Sequence, residues 1–246
     1  MAVSDTTLRV SVLIPALNEE GAIGAVLDEI PGPWQGLPGP WQGLPGPLVT
    51  EVLIVDNGST DRTTEIAREH GARVVREERR GYGSACLRGI AGIRDTDILV
   101  FLDGDHSDYP EEIPLLIAPI LAGEADLVIG SRVLGERERG ALTPQQVYGN
   151  RLACFLIWLL FRHRYTDLGP FRAIRWESLQ ALGMVDRDYG WTVEMQVKAL
   201  RRGLRVAEVP VRYRRRIGRS KISGTISGTV RAGYKIITTI LRYARS

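Results

Sequence analysis

Two carboxylates separated by one glycine close an apolar run, Ile98-Leu-Val-Phe-Leu-Asp103-Gly104-Asp105. Side chains at i and i+2 leave a strand on the same side, and a glycine between them lets the backbone come close to a ligand. A hard divalent cation that carries phosphates takes one or two carboxylate oxygens and fills its other positions with phosphate and water. The competing reading is a polar turn after a strand. Three other stretches share the layout of an apolar run followed by a polar loop: Pro15 to Glu20, Asp56 to Asp61 and Arg80 to Ser84. In an open parallel sheet such loops gather at the carboxyl edge, where ligands bind. Asp56 is then placed to accept hydrogen bonds from a base edge. Backbone N–H groups with Arg79 or Arg80 can meet phosphate, and Asp103 and Asp105 can meet ribose and metal. A Rossmann dinucleotide site is excluded by placement, because Pro-Ala-Leu-Asn-Glu follows the first strand where the glycine fingerprint would stand.

The elements that must position these residues follow from periodicity and breakers. Strands are expected over 8–14 (stopped by Pro15), 51–55, 72–75, 97–102 and 126–129. Helices are expected from Asn18 to about Ile30, Asp61 to His70, Arg79 onward, and Pro110 to Leu121. This alternation predicts an α/β fold with a mainly parallel central sheet flanked by helices. After Arg132 the alternation stops. A long helix runs from the Thr143 cap and Pro144 to Phe161. A loop follows over Thr166 to Arg172, then short helices over 177–182 and 191–201, a strand-like stretch over 204–213, and a helix over 222–243. That last helix serves either core packing or an interfacial role. Pro31-Gly-Pro-Trp-Gln-Gly-Leu37 is repeated verbatim as residues 38–44 and followed by Pro-Gly-Pro47. At that density Pro and Gly form neither helix nor sheet interior, so residues 31–47 read as a surface insertion, with a binding loop built on Trp34 and Trp41 as the alternative.

The chain has 246 residues, 44% hydrophobic and 25% charged, which suits one large globular domain or a domain with a substantial appendage. Cys86 and Cys154 lack metal-ligand spacing and read as reduced thiols of a cytoplasmic protein. The N-terminus lacks a signal-peptide pattern, and the apolar run Ala153–Phe161 is far below the roughly 18–20 residues of a membrane span. The net charge is only +3, yet residues 201–221 hold eight arginines and Lys221 against a single Glu208. Such a run points to an anionic partner such as phosphate or a lipid head group, or else simply faces water. No aromatic-interleaved or zinc-spaced module supports a nucleic-acid partner.

Taken together, Val-Leu-Ile-Pro-Ala-Leu-Asn-Glu-Glu20, Val-Asp56-Asn-Gly-Ser-Thr-Asp61, Arg80-Gly-Tyr-Gly83-Ser-Ala and Leu-Asp103-Gly-Asp105, in this order, resemble the inverting glycosyltransferases of family 2 and their GT-A nucleotide-diphospho-sugar fold. Gly130-Ser-Arg132, Asp167-x-Gly-x-Phe-Arg172, Gly190-Trp-x-x-Glu194-Met, Glu208-Val-Pro and Arg215-x-x-Gly-x-Ser-Lys221 resemble the dolichyl- or polyprenyl-phosphate sugar synthases. The resemblance covers nearly the whole chain outside the repeat. It implies one GT-A domain, with residues 8–132 binding the nucleotide sugar, 133–221 binding the acceptor, and 222–246 as a C-terminal helix.

The resemblance also implies roles. Pro15, Leu17, Glu19 and Asp56 would line the base and ribose site, with Gly83 beside the donor. Asp103 would contact ribose or metal and Asp105 would be the main ligand of Mg²⁺ or Mn²⁺. Many relatives carry a Gln two positions after the second Asp that also reaches the metal; Ser107 stands there, which leaves a third protein ligand in question. Arg132, Arg172, Arg215 and Lys221 would bind the donor diphosphate and the acceptor phosphate. Asp167 and Glu194 are the acidic candidates near the acceptor, and Asp167 either acts as a base, orients an arginine or assists the metal shell.

Transfer from a UDP- or GDP-hexose requires stabilisation of the departing diphosphate. An alcohol acceptor also needs a general base. A polyprenyl phosphate, already ionised, needs cations instead, and Arg is suited to that contact. The alternatives are a soluble acceptor and a non-catalytic lipid- or nucleic-acid-binding module on the same scaffold. A lipid acceptor needs membrane access, which the helices after Thr143 and Ile222 could provide on the inner face of the cell membrane.

Overall fold

The computed structural model of the protein describes residues 8–31, 49–218 and 226–245. The Pro/Gly/Trp repeat, apart from Pro31, and Lys221 lie outside the described residues. Seven strands form one sheet: β1 (Val10–Ala16), β2 (Glu51–Asp56), β3 (Arg73–Arg76), β4 (Ile98–Phe101), β5 (Leu127–Ser131), β6 (Arg172–Arg175) and β7 (Val206–Pro210), in the order β3-β2-β1-β4-β6-β5-β7. The helices are α1 (Ile23–Asp28), α2 (Thr63–Glu69), α3 (Tyr82–Gly92), α4 (Ile113–Leu121), α5 (Pro144–Phe161), α6 (Trp176–Leu182), α7 (Trp191–Arg201) and α8 (Ile226–Arg245).

Residues of period two divide between two cores, one on each face of the sheet. On β1, Val10, Val12 and Ile14 join α1 and α4 residues such as Ile23 and Leu116, whereas Leu13 faces the opposite core with Ala85, Ile157 and Trp191. Burial on both faces explains why these strands read as continuous apolar runs.

Two expectations are corrected. Pro15 does not stop the first strand, which continues to Ala16. Pairing with β4 ends at Leu13–Phe101, while pairing with β2 runs on through Pro15–Val55 and Ala16–Asp56. Beyond Leu13 the strand is paired on one side only, where a missing N–H is tolerated as at a sheet edge. The second correction is β6, which lay unassigned between a loop and a helix. It runs antiparallel to both β4 and β5 and pairs Phe101 with Arg172. Its reversed direction brings its amino end, and the loop before it, to the carboxyl edge where β4 delivers Asp103.

The chain runs outward from β1 through β2 to β3 and then returns to β4 on the other side of β1. That reversal opens a crevice between the loops after β1 and β4, the place where open α/β sheets hold ligands.

Candidate active site

The crevice is a cavity of about 230 Å³ whose walls include Leu17, Glu19, Arg80, Tyr82, Asp103 and Asp105. Pro15 also lines it. Local sequence chemistry fixes the walls. Asn18 adopts a left-handed backbone (φ 53°), its N–H donates to Ser59 Oγ at 2.9 Å, and its Oδ1 accepts from the Thr60 N–H at 2.8 Å. Asp56 closes its own turn by accepting from the Ser59 N–H at 2.8 Å. The cavity wall on that side is Asn57. Its Nδ2 donates to the Glu77 and Arg79 carbonyls and its Oδ1 accepts from the Gly81 N–H at 2.9 Å. Asn57 thereby holds the loop that carries Arg80.

Gly83 serves close packing. A Cβ there would stand 2.2 Å from the Asp186 carbonyl oxygen. The next residue, Ser84, donates its N–H to the Arg187 carbonyl at 2.9 Å. One free N–H of the first turn of α3, expected for phosphate, is thus taken by the protein's own backbone.

The carboxylate pair sits on a heavily braced loop. Asp105 is buried, and its Oδ1 accepts from the Ser107 N–H at 3.0 Å and Ser107 Oγ at 2.5 Å. Ser107 therefore orients Asp105. The Asp105 Oδ2 lies 2.8 Å from Arg216 Nη2, and Glu19 Oε1 lies 3.6 Å from the same nitrogen. Burial and the charge of Asp105 push the Asp103 carboxyl up, against the opposing cations Arg216 and Arg132. Asp108 is also buried, neither of its carboxylate oxygens has a hydrogen-bond partner among the described residues, and burial and the two neighbouring aspartates raise it well above the usual range. His106 between them is left-handed (φ 63°). It is pinned there by Glu29, 3.0 Å from its Nε2, and by Arg214 Nε, which donates to its carbonyl at 2.7 Å. Mutually repelling buried carboxylates, already answered by one guanidinium, form a donor set that fits a divalent cation. Among the described residues no three acidic, His or Cys side chains could hold a metal by themselves, so the remaining positions fall to phosphate and water.

The second group of predicted residues forms a separate construction. Arg132 Nε and Nη2 each donate to Asp167 at 2.7 Å, and the Arg132 N–H donates to the same carboxylate at 2.9 Å. Asp167 is 0% exposed. Arg132 lowers its pKa in spite of burial. The loop carrying Asp167 is fixed from three sides. Glu208 accepts from the Thr166 and Asp167 N–H groups, Asn150 bonds the Thr166 carbonyl and the Leu168 N–H, and Gln196 donates to the Asp167 carbonyl. Tyr213 lies under the Arg132 guanidinium at 5.1 Å. Arg132 also lines a cavity of about 420 Å³ shared with Arg137, Arg151, Asn150 and Thr166.

Several predicted residues stand away from both cavities. Arg172 is 1% exposed and staples the fold, donating to the Thr192 carbonyl at 3.0 Å and to the Leu168 and Gly169 carbonyls. Glu194 accepts from the Val185 and Asp186 N–H groups and the Tyr243 hydroxyl, and pairs with Lys198 at 2.7 Å. Arg215 donates to the Arg139 carbonyl at 2.6 and 2.8 Å. The arginine that reaches Asp105 is its neighbour Arg216, which motif reasoning passed over; the alternation of side chains after β7 was the available signal.

Residues 11–183 match the family described as Glycosyl transferase family 2. The chain is a family 2 glycosyltransferase. It is 37% identical over 226 residues to an uncharacterized glycosyltransferase of Mycobacterium tuberculosis, covering 90% of this chain and 93% of that one. It is 32% identical over 237 residues to a dolichyl-phosphate hexose transferase of Haloferax volcanii, covering 94% and 93%. Among solved structures, glucosyl-3-phosphoglycerate synthase of M. tuberculosis, in complex with Mn²⁺, UDP and glucosyl-3-phosphoglycerate, superposes with a TM-score of 0.74 at 28% identity, covering 97% of this chain and 80% of that one. The likeness supports the GT-A-type fold expected from the motifs. This glycosyltransferase also exposes an apolar stripe on α5: Tyr148, Leu152, Phe155 and Leu159 at helical spacing. Among its described residues no helix is long and apolar enough to cross a membrane.

Proposed function

We propose that the enzyme transfers a hexose, with inversion, from a UDP- or GDP-sugar to a polyprenyl phosphate. The first-half cavity takes the nucleotide, and the second half presents the acceptor. Asp103 and Asp105 would hold Mg²⁺ or Mn²⁺, which supplies charge neutralisation for the leaving diphosphate. Ser107 keeps Asp105 oriented for that task. Leu17 and Tyr82 provide apolar wall, and Arg80 provides a cation at the cavity rim.

One observation carries the choice of acceptor. The two acidic candidates for a general base are both committed elsewhere: Asp167 to Arg132 and Glu194 to the 185–186 backbone, Lys198 and Tyr243. An alcohol needs such a base; an ionised phosphate needs a fixed cation, and Arg132 is one. The likeness to a dolichyl-phosphate hexose transferase supports the same acceptor class. The arginine-lined cavity abuts α5 through Val147 and Arg151, and the exposed stripe of α5 would rest on an anionic membrane surface at the inner face of the cell membrane. Arg151 within α5 and Arg162 and Arg164 just after it add basic charge, and α8 contains no acidic residue.

A second reading has its own support. Glucosyl-3-phosphoglycerate synthase of M. tuberculosis, similar to this chain in fold, is seen with a small phosphorylated acid product, so a soluble phosphorylated acceptor would meet the same arginines. The test is turnover of UDP- and GDP-hexoses with polyprenyl phosphate, phosphoglyceric acid and simple alcohols, with and without divalent metal. Metal-dependent transfer to polyprenyl phosphate is expected, and transfer to alcohols alone would overturn the reading. Asp105→Ala is expected to abolish turnover; near-normal activity would overturn the metal assignment.

A further inference from the structure

Arg216 is not a surface arginine that happens to lie near an acid. The backbone on both sides of it is tied to the carboxylate loop. The Arg214 N–H donates to the Ser107 carbonyl at 2.9 Å, and the Ile217 N–H donates to the Asp105 carbonyl at 2.9 Å. Arg214 is fixed further by Glu29, 2.5 Å from its Nη2. Between these tethers the Arg216 guanidinium is delivered to Asp105 Oδ2 at 2.8 Å, with Glu19 at 3.6 Å. The fork is only partly used. Arg216 Nε is buried and has no hydrogen-bond partner among the described residues, so the group keeps a donor for a further anionic oxygen.

We infer that Arg216 is a resident counter-cation of the metal site: it occupies the Asp105 oxygen that a divalent ion would take, and moves to the donor's diphosphate when ion and nucleotide bind together. The inference rests on the proposed role of Asp105. Its logic is electrostatic. A divalent ion and a guanidinium on the same oxygen would stand within a few ångströms of each other and repel strongly at the edge of a protein interior. A metal ion arriving alone must displace Arg216 and leaves it without its anion. An ion arriving with a diphosphate brings the replacement anion, and arginine binds phosphate through the same planar fork. The tethers on either side keep the backbone in place, so the exchange needs only rotation of a long side chain. Metal and nucleotide then bind with positive coupling, and linkage makes the coupling equal in both directions.

The test reads Mn²⁺ binding, not turnover. Free Mn²⁺ is titrated with the full chain and followed by its electron paramagnetic resonance signal, alone and with saturating UDP or GDP. For the wild type the nucleotide is expected to tighten Mn²⁺ binding at least tenfold. Arg216→Gln is expected to tighten binding of Mn²⁺ alone by roughly five- to tenfold, the scale set by one removed ion pair, and to shrink the nucleotide's effect correspondingly. Mn²⁺ affinity of Arg216→Gln within about twofold of the wild type, or weaker, overturns the inference. Should that variant fail to fold, the wild type alone decides, because absence of nucleotide enhancement overturns it too. Asp105→Asn separates the two layers. If it binds Mn²⁺ with UDP or GDP as well as the wild type does, the metal-site reading itself has failed. If it loses Mn²⁺ while Arg216→Gln changes nothing, only the role of Arg216 falls.

Discussion

Replacing Asp167 by Asn asks whether this carboxylate holds an arginine or abstracts a proton. Asp167 is fully buried and receives two guanidinium N–H groups and one backbone N–H from Arg132, whose side chain is itself only 13% exposed. Removing one partner of such a pair leaves a buried charge and costs about 3–5 kcal/mol; Asn still accepts one bond, so the lower end applies. For a chain of this size about 3 kcal/mol lowers the melting temperature by roughly 6–12 °C. The pH dependence has a fixed sign. Arg132 depresses the Asp167 pKa in the folded state, so the pair's stabilisation is fully present above the unfolded value of about 3.9 and disappears as pH falls through the folded value. The gap in melting temperature between wild type and Asp167→Asn should therefore be widest near neutrality and close below about pH 4. In turnover the variant should raise KM for polyprenyl phosphate more than it lowers kcat, because Arg132 loses its aim while no proton transfer is lost. A variant that melts within about 2 °C of the wild type at pH 7 would refute the structural role. A fall in kcat of roughly a hundredfold or more at saturating acceptor would restore Asp167 as a base.

Two further outcomes follow from packing. Gly83→Ala should destabilise by about 2 kcal/mol, since the added methyl meets the backbone of Asp186 and Arg187, which cannot swing aside; an unchanged thermal melt would show that the 186–187 segment yields. Phe155→Ser and Leu159→Ser change side chains that are 52% and 45% exposed. They should leave the melt nearly unchanged and weaken cosedimentation with phosphatidylglycerol vesicles at low salt by about tenfold each, the worth of one buried apolar side chain, whereas undiminished binding would remove α5 from the membrane contact.

What the sequence made legible is what local rules govern. Alternation of apolar runs with polar loops located β1, β2, β4 and β5, and the Thr143–Pro144 signal located the start of α5, where the structure shows a full capping box with Gln146. The strand β6 escaped because its four residues carry an arginine at each end, Arg172 and Arg175, and no periodicity resolves so short a run. Its identity as a strand depends on pairing with β4 and β5. The same limit applies to the site. Asp103 and Asp105 were visible because chemistry and spacing coincide in one short stretch. The structural use of Arg172 and Glu194 was not, since a buried arginine bonded to three carbonyls and a glutamate bonded to two backbone N–H groups look in sequence like functional charges. Asp108 was passed over beside them, although it adds a third carboxylate to the loop and is itself buried.

The choice between Arg215 and Arg216 shows why a motif alone could not apportion the cations. Both lie in a basic run, but strand-like alternation sends their side chains to opposite sides, one to the Arg139 carbonyl and one to Asp105. Arg132 and Arg216 then differ in kind. Nε and Nη2 of Arg132 are bound to a buried carboxylate, which leaves Nη1 free of that pair and pointing from a fixed guanidinium. Arg216 holds one carboxylate of the candidate metal site by a single short contact and keeps an unused buried Nε. A fixed cation suits an acceptor phosphate that must be aimed at the sugar carbon, because aim is what brings two anions into reacting distance. An exchangeable cation suits a diphosphate that gains charge as the bond to sugar breaks, because the same group can neutralise the empty site and then the leaving group. On this reasoning a lysine at position 132 should damage acceptor use more than nucleotide binding, since an ammonium cannot grip Asp167 through a fork and stay aimed. Equal loss of both, measured as acceptor KM and as UDP or GDP affinity, would contradict the division between the two arginines.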